Sequence, residues 1–185
     1  MTDSPRVNAV GDLELTDPAA MQALADPTRL AVFDRVRRAP ATAPSLAALV
    51  QEPESAVQAH LEKLEAVGLV SRDGAEWRAV ARGFVFEIPE DPEGQAAARK
   101  LTAVMMLAYD DLPRRWVADS EPGLELRWAR ASGLFHARVT LSPDELRGVQ
   151  EGLEDVLAPY LTREPDDAPP DARPVRILGY FLPEA

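Results

Sequence analysis

The fold is decided by LADPTRLAVFDRV at residues 24–36 and VQAHLEKLEAVGLVSRDG at residues 57–74. In the first stretch Asp26 precedes Pro27, which is the typical pairing of an N-cap residue with proline at the first helical position. Apolar residues then recur at helical spacing as far as Val36. This stretch therefore predicts an amphipathic helix that begins at Pro27 and ends before Pro40.

The second stretch predicts a helix over residues 54–67 and a hairpin after it. Val57, Leu61 and Leu64 lie on one stripe, and Gly68 ends the helix. Residues 69–72 and 76–80 then read as two strands joined by an Asp-Gly turn. With a short helix capped by Ser45 placed before it, the pattern predicts a helix-turn-helix followed by a wing.

The same two stretches together resemble the ArsR-type winged helix-turn-helix transcriptional regulators. The matching residues of the second stretch are His60, Leu61, Leu64, Gly68, Leu69 and Val70. The resemblance covers about 65 of the 185 residues. It implies that the helix over residues 54–67 enters the major groove of DNA and that the hairpin reaches the flanking backbone. Metal sensing is not implied, because the chain has no cysteine and two histidines.

Candidate DNA contacts follow from that placement. They are Ser55, Gln58, Ala59, His60, Lys63, Arg72, Arg78 and Arg82. Gln58 could read an adenine edge, and the arginines could hold phosphates. Two alternatives stay open: the basic residues form an ordinary solvated face, and His60 packs at the core edge instead of touching a base. Glu54 and Glu62 oppose DNA binding, since carboxylates repel phosphates.

The sequence outside these two stretches completes the prediction of an α+β protein. In it, the winged helix is followed by a small α+β domain with a long helix and an antiparallel sheet. The expected parts are a loose arm at 1–16, the DNA-binding domain at 17–88, an acidic linker at 89–94 and a dimerisation or effector domain at 95–185. Within the last part we expect a helix at 95–118, paired strands at 124–128 and 135–141, a helix from Ser142, an acidic loop at 162–174 and a strand at 175–182. The helix from Ser142 should bury Leu146, Val149, Leu153, Val156, Leu157 and Tyr160.

A ligand pocket is a further candidate site, because methionine and aromatic side chains adapt to irregular apolar shapes. The candidate lining is Met105, Met106, Tyr109, Trp116, Trp128 and Phe135. The alternative for these six is core and dimer interface. No catalytic constellation, cofactor motif or metal site is recognisable, so an enzyme is the fourth and least favoured alternative.

The formal charge of -11 makes any DNA contact depend on a local basic patch. A polar N-terminus and the lack of a long apolar run predict a cytoplasmic protein with no membrane partner. The sequence therefore predicts a homodimer that binds a double-stranded DNA operator, with a small apolar effector as a further candidate partner. A winged-helix protein-interaction module that has lost DNA affinity is the main alternative, and a small-molecule binding protein is the third.

Overall fold

Side-chain caps begin most of the longer helices of this chain. The structure, a computed structural model, describes residues 6–184. The side chains of Asp17, Asp26 and Asp91 each accept a hydrogen bond from a backbone N–H in the first turn of the helix that follows. A proline follows each of these aspartates and needs no such partner for its own nitrogen. Local sequence therefore sets where these helices begin.

The described residues form the following elements. The α-helices are α1 (Pro18–Leu24), α2 (Pro27–Val36), α3 (Ala43–Val50), α4 (Glu54–Ala66), α5 (Pro92–Tyr109), α6 (Leu112–Arg115), α7 (Leu126–Ala131) and α8 (Pro143–Leu161). The strands are β1 (Arg6–Val7), β2 (Asp12–Leu15), β3 (Ala41–Thr42), β4 (Val70–Asp73), β5 (Glu76–Ala79) and β6 (Gly83–Phe86). The chain divides into two units, one up to Arg138 and one from Val139 onward.

Helices α3 and α4 form the predicted helix-turn-helix. The cap of α3 differs from the prediction, because Thr42 is the N-cap and Ser45 is the third helical residue of a capping box. Gln51 ends α3 in the left-handed conformation, with a φ of 58°. Val57, Leu61 and Leu64 of α4 are fully buried in the core, as their spacing predicts. The chain therefore turns sharply between two helices that share one core.

The predicted hairpin is confirmed. Strands β4 and β5 pair antiparallel, with Asp73 opposite Glu76, and β3 adds to the other side of β5. Gly74 has a φ of 61°, a conformation that suits glycine in a tight turn. Trp77 points from β5 into the core and is almost completely buried.

The predicted loose arm is structured from Arg6 onward, and residues 1–5 lie outside the described residues. Strand β1 pairs antiparallel with β2, and β2 pairs in parallel with β6. Leu13 and Leu15 of β2 are buried in the core. Pairing with β6 ties the segment down, and sequence periodicity could not reveal that partner because it lies about 70 residues away.

Helix α5 belongs to the first unit, although the sequence places a domain boundary just before it. Ala97, Ala98 and Leu101 are buried, and α5 packs against α1. The predicted helix over residues 95–118 is too long, since α5 ends at Tyr109. Pro113 explains the break, because proline lacks the N–H that would bond the carbonyl oxygen of Tyr109 in a continuous helix.

The predicted antiparallel sheet at 124–128 and 135–141, and the strand at 175–182, are wrong. Residues 126–131 form α7, and no described residue beyond Phe86 belongs to a strand. Alternating polarity is a property of one chain segment, whereas a strand also needs a partner ladder. Phe135 is 93% exposed, so the predicted apolar face is not covered.

The described part of the second unit contains α8, a 3-10 helix at Pro165–Asp167 and chain outside helices and strands. The predicted capping box is confirmed: Ser142 accepts from the N–H of Glu145, and the Glu145 carboxylate accepts from the N–H of Ser142. The hydrogen bond from the backbone N–H of Ser142, and to a smaller extent one from its side chain, lowers the pKa of the Glu145 carboxyl. The predicted burial is wrong, since Val156 is 65% and Tyr160 63% exposed. The described part of this unit supplies no second layer to cover α8.

Candidate nucleic-acid interface

Helix α4 has one face in the core and one face in solvent. The exposed residues are Glu54, Ser55, Ala59, Glu62, Lys63, Glu65 and Ala66, and Gln58 and His60 are half-buried at the border. Helix packing fixes this arrangement, because burying Val57, Leu61 and Leu64 turns the positions between them outward. The outer face is therefore open for contact with a partner.

Acid dominates the outer face of α4. Glu54, Glu62 and Glu65 are exposed there with a single cation, Lys63. Lys63 has no ion pair with any of the residues that the structure describes. The side-chain amide of Gln58 donates to Glu62 Oε1 at 2.8 Å. To reach an adenine, Gln58 would have to leave this partner.

His60 lies at the edge of the core. The ring is half-buried, and Nδ1 is inaccessible to solvent with no hydrogen-bond partner among the described residues. A buried ring nitrogen without a partner has lost its hydrogen bond to water and gained none from the protein. The Nδ1 edge of the His60 ring therefore packs inside the fold and does not face a base.

Two arginines of the hairpin stay near its exposed tip. The Arg72 guanidinium lies 5.6 Å from the centre of the Trp77 ring, and its Nε donates to the carbonyl oxygen of Gly74. Arg78 lies 3.5 Å from an Asp73 oxygen and 3.6 Å from a Glu76 oxygen. Both arginines remain exposed. Exposed ion pairs of this kind contribute about 0–1 kcal/mol, so Arg78 can exchange partners readily.

Arg82 is engaged inside the protein instead. Its guanidinium donates to the carboxylate of Asp12 at 2.5 Å and to the carbonyl oxygen of Val10. Burial raises the pKa of Asp12, while Arg82 and, to a smaller extent, Arg37 oppose that rise. Arg82 therefore joins β2 to the chain after β5 and has fewer free donors than Arg72 or Arg78.

These residues form a helix-turn-helix with an exposed second helix and a hairpin at its end. Residues 24–73 match the family model of a helix-turn-helix domain. The match spans α2, α3, α4 and β4. No curated protein and no solved structure matches the chain. The second helix of such a domain is the element that enters the major groove, so the chain carries the module of a DNA-binding regulator.

The six candidate pocket residues are all in the first unit but differ in environment. Met105 is half-buried against the core, and the Tyr109 hydroxyl donates to Asp34 Oδ2 at 3.3 Å. Trp116 and Trp128 are half-buried, Met106 is 44% exposed and Phe135 is 93% exposed. Two shallow grooves of about 610 and 310 Å³ are lined by other residues. The pocket stays a prediction.

The described residues contain no group of three or more histidines, aspartates or glutamates arranged to hold a metal ion. Within the same part of the chain, no helix has both the length and the apolar character that crossing a bilayer requires.

The predicted contacts omit a basic run at the end of α2. Arg35, Arg37 and Arg38 follow one another closely there, and the last two line the larger groove. Their spacing is visible in the sequence. The sequence does not show that Arg37 and Arg38 line one groove with Arg78 and Arg82, because that depends on where β5 lies.

Proposed function

We propose that this protein is a DNA-binding transcriptional regulator that acts as a homodimer in the cytoplasm and catalyses no reaction. Helix α4 would enter the major groove of the operator, and the β4–β5 hairpin would be the wing of an ArsR-type winged helix. The observation that carries this proposal is the helix-turn-helix match at residues 24–73, together with an α4 whose outer face is uncovered.

The candidate contacts divide by their surroundings. Ser55, Ala59 and Lys63 are exposed on α4 and could face base edges or phosphates. Gln58 would have to leave Glu62 to reach a base, and the Nδ1 edge of His60 is buried in the fold. Arg72 and Arg78 are exposed on the hairpin and would reach the flanking DNA backbone from there. Arg82 would contribute least, since Asp12 already occupies it.

Operator binding is tested with a fluorescent duplex from the region upstream of the protein's own gene, against a scrambled duplex, at two salt concentrations. We expect tighter binding to the native duplex and weaker binding at higher salt, because phosphate contacts release counterions. Equal affinity for both duplexes would contradict sequence-specific regulation.

The variant Lys63→Ala removes the one cation on the outer face of α4. We expect weaker binding to every duplex. The slope of the logarithm of the binding constant against the logarithm of the salt concentration should fall in magnitude by about one. Lys100→Ala is the matched control, since Lys100 is exposed on α5 outside the helix-turn-helix. If both variants bind the duplex as the unchanged protein does, α4 does not lie against DNA.

A winged-helix protein-interaction module is the second candidate. The observation that favours it is the excess of carboxylates on the exposed face of α4, where Glu54, Glu62 and Glu65 outnumber Lys63. Such a face would suit a basic protein surface. Lack of duplex binding even at low salt would support this function over the first.

Homodimerisation and effector control are parts of the proposal with separate support. Leu107 of α5 is 73% exposed and Met106 lies beside it, which gives an apolar surface that a second copy could cover. A small apolar effector, rather than a metal ion, would act through the candidate pocket residues, since the chain has no cysteine. A ligand that changes the spacing of two α4 helices would change operator affinity.

A further inference from the structure

A shallow groove of about 610 Å³ lies between the end of α2 and the end of β5. Residues 36–40 form one wall, residues 78–82 form the other, and Val7 and Gly11 complete the lining. Four of the lining residues are arginines: Arg37, Arg38, Arg78 and Arg82. The groove lies within the first unit, and no residue of α4 lines it. The helix-turn-helix match does not assign it a role.

Two of the arginines are fixed in place by carboxylates. Arg37 Nε donates to Asp34 Oδ1 at 2.7 Å, and Arg82 is bound to Asp12. A guanidinium has five N–H donors, and neither residue uses all of them on these partners. These two residues therefore keep unused N–H donors, while carboxylates offset their charges.

The other two arginines are available. Arg38 is exposed and has no ion pair with any residue in the described range 6–184. The Arg78 side chain is 51% exposed, and its carboxylate partners lie 3.5 and 3.6 Å away. Exposed pairs at these distances contribute little, so an incoming anion can compete for Arg78 at low cost. Bidentate guanidinium contacts to carboxylate or phosphate are among the stronger hydrogen bonds in proteins.

The rest of the lining is apolar. It consists of Val7, Val36, Ala39, Pro40, Ala79, Val80 and Ala81 together with Gly11. Val80 is 44% exposed and Val7 46%, so their side chains present apolar surface that an occupant could cover. Cationic groups beside an apolar wall are complementary to a molecule with an anionic head and an apolar body. A free phosphate would contact the arginines but would leave the apolar side chains uncovered.

We propose that this groove binds a small organic oxyanion, with its carboxylate or phosphate head held by Arg38 and Arg78 and its apolar body lying against Val36 and Val80. The volume falls within the range of small-molecule sites, but the groove is shallow and would cover only part of a bound molecule. In a chain with a formal charge of -11, the groove offers an anion one arginine, Arg38, with which no described carboxylate pairs, since the other three lining arginines each have carboxylate partners. The proposal does not rest on DNA binding, although Arg78 is also a candidate contact to the DNA backbone.

The test uses the full chain labelled with ¹⁵N, and follows the backbone amides of residues 37–39 and 78–82 by NMR. The probes are phenyl phosphate and benzoate, which have head and body, inorganic phosphate, which lacks the body, and benzyl alcohol, which lacks the charge. We expect saturable shifts at these amides with phenyl phosphate or benzoate, and weaker binding of the other two. Binding of inorganic phosphate as tight as that of phenyl phosphate would overturn the proposal, as would the absence of saturable shifts with both anionic probes.

Two variants and a matched control locate the head group. Arg38→Ala and Arg78→Ala should each weaken binding of the anionic probe about tenfold, the loss expected when one charge-assisted contact is removed. Arg35→Ala is the control, because Arg35 is exposed near the end of the same helix but does not line the groove. The amide spectrum of each variant reports whether it folds. Equal loss in the control and in Arg38→Ala would overturn the assignment, since it would indicate only a general charge effect.

Discussion

At the scale of single residues, Asp12 is the most instructive titratable group. Its side chain is mostly buried, and one carboxylate oxygen, Oδ1, has no hydrogen-bond partner among the described residues. Burial raises the pKa of Asp12 above its ordinary 3.8, against the attraction of Arg82 and Arg37. The proton is therefore bound more tightly in the folded chain than in the unfolded chain. Asp12 stabilises the fold most in acid, and this contribution is lost as pH rises through the folded pKa.

The variant Asp12→Asn should remove that pH dependence. We expect the free energy of unfolding of the unchanged protein, minus that of the variant, to be largest below the ordinary pKa of 3.8 and to fall as the pH approaches neutrality. Urea unfolding followed by circular dichroism at several pH values measures it. Asp119→Asn serves as an exposed control. A difference that does not change with pH would contradict the argument.

Glu62 is the residue on which the two candidate functions differ most. It is exposed on α4 and holds the amide of Gln58. Glu62→Gln removes a charge that would face phosphates, so we expect affinity for the upstream duplex to rise about two- to fivefold. Fluorescence anisotropy measures this, with Glu93→Gln on α5 as the exposed control. Unchanged affinity in Glu62→Gln would mean that this face does not approach the duplex.

At the scale of elements, the position of α4 depends on the apolar stripe beneath it. Leu61 is completely buried between α4 and the helices it packs against. Leu61→Ala should lower the free energy of unfolding by about 2–5 kcal/mol, because a cavity would remain. Leu49→Ala on α3 is the control, since Leu49 is 55% exposed and its loss should cost roughly 0.5 kcal/mol or less. Similar costs for both variants, measured by urea unfolding, would show that α4 is not anchored as described.

At the scale of the whole molecule, exposed apolar surface and net charge have opposite effects on the association of two copies of the chain. The charge of -11 disfavours association, whereas Leu107 and Met106 on α5 leave apolar surface in water. Leu107→Glu should convert the proposed dimer to a monomer, as judged by light scattering after size-exclusion chromatography. Ala96→Glu adds the same charge at another exposed position of α5 and should leave the dimer intact. A monomer before any substitution would refute the homodimer.

The sequence by itself determined the elements whose signals are local. Asp26 with Pro27, the Val57, Leu61 and Leu64 stripe, and the capping box of Ser142 and Glu145 each specify a helix through neighbours within a few residues. The same local reasoning failed at Phe135, because alternation along one segment does not supply the second strand that a ladder requires.

Only the tertiary structure decided which distant groups meet. It pairs Arg82 with Asp12, which removes Arg82 from the exposed part of the candidate interface, and it brings Arg38 and Arg78 to one groove. It also ties β2 to β6, which turns a predicted loose arm into part of a sheet. Contacts between residues 40 to 70 positions apart depend on how the whole core packs. Local residue spacing carries no record of that packing, so the sequence located the helix-turn-helix but not the arginine-lined groove beside it.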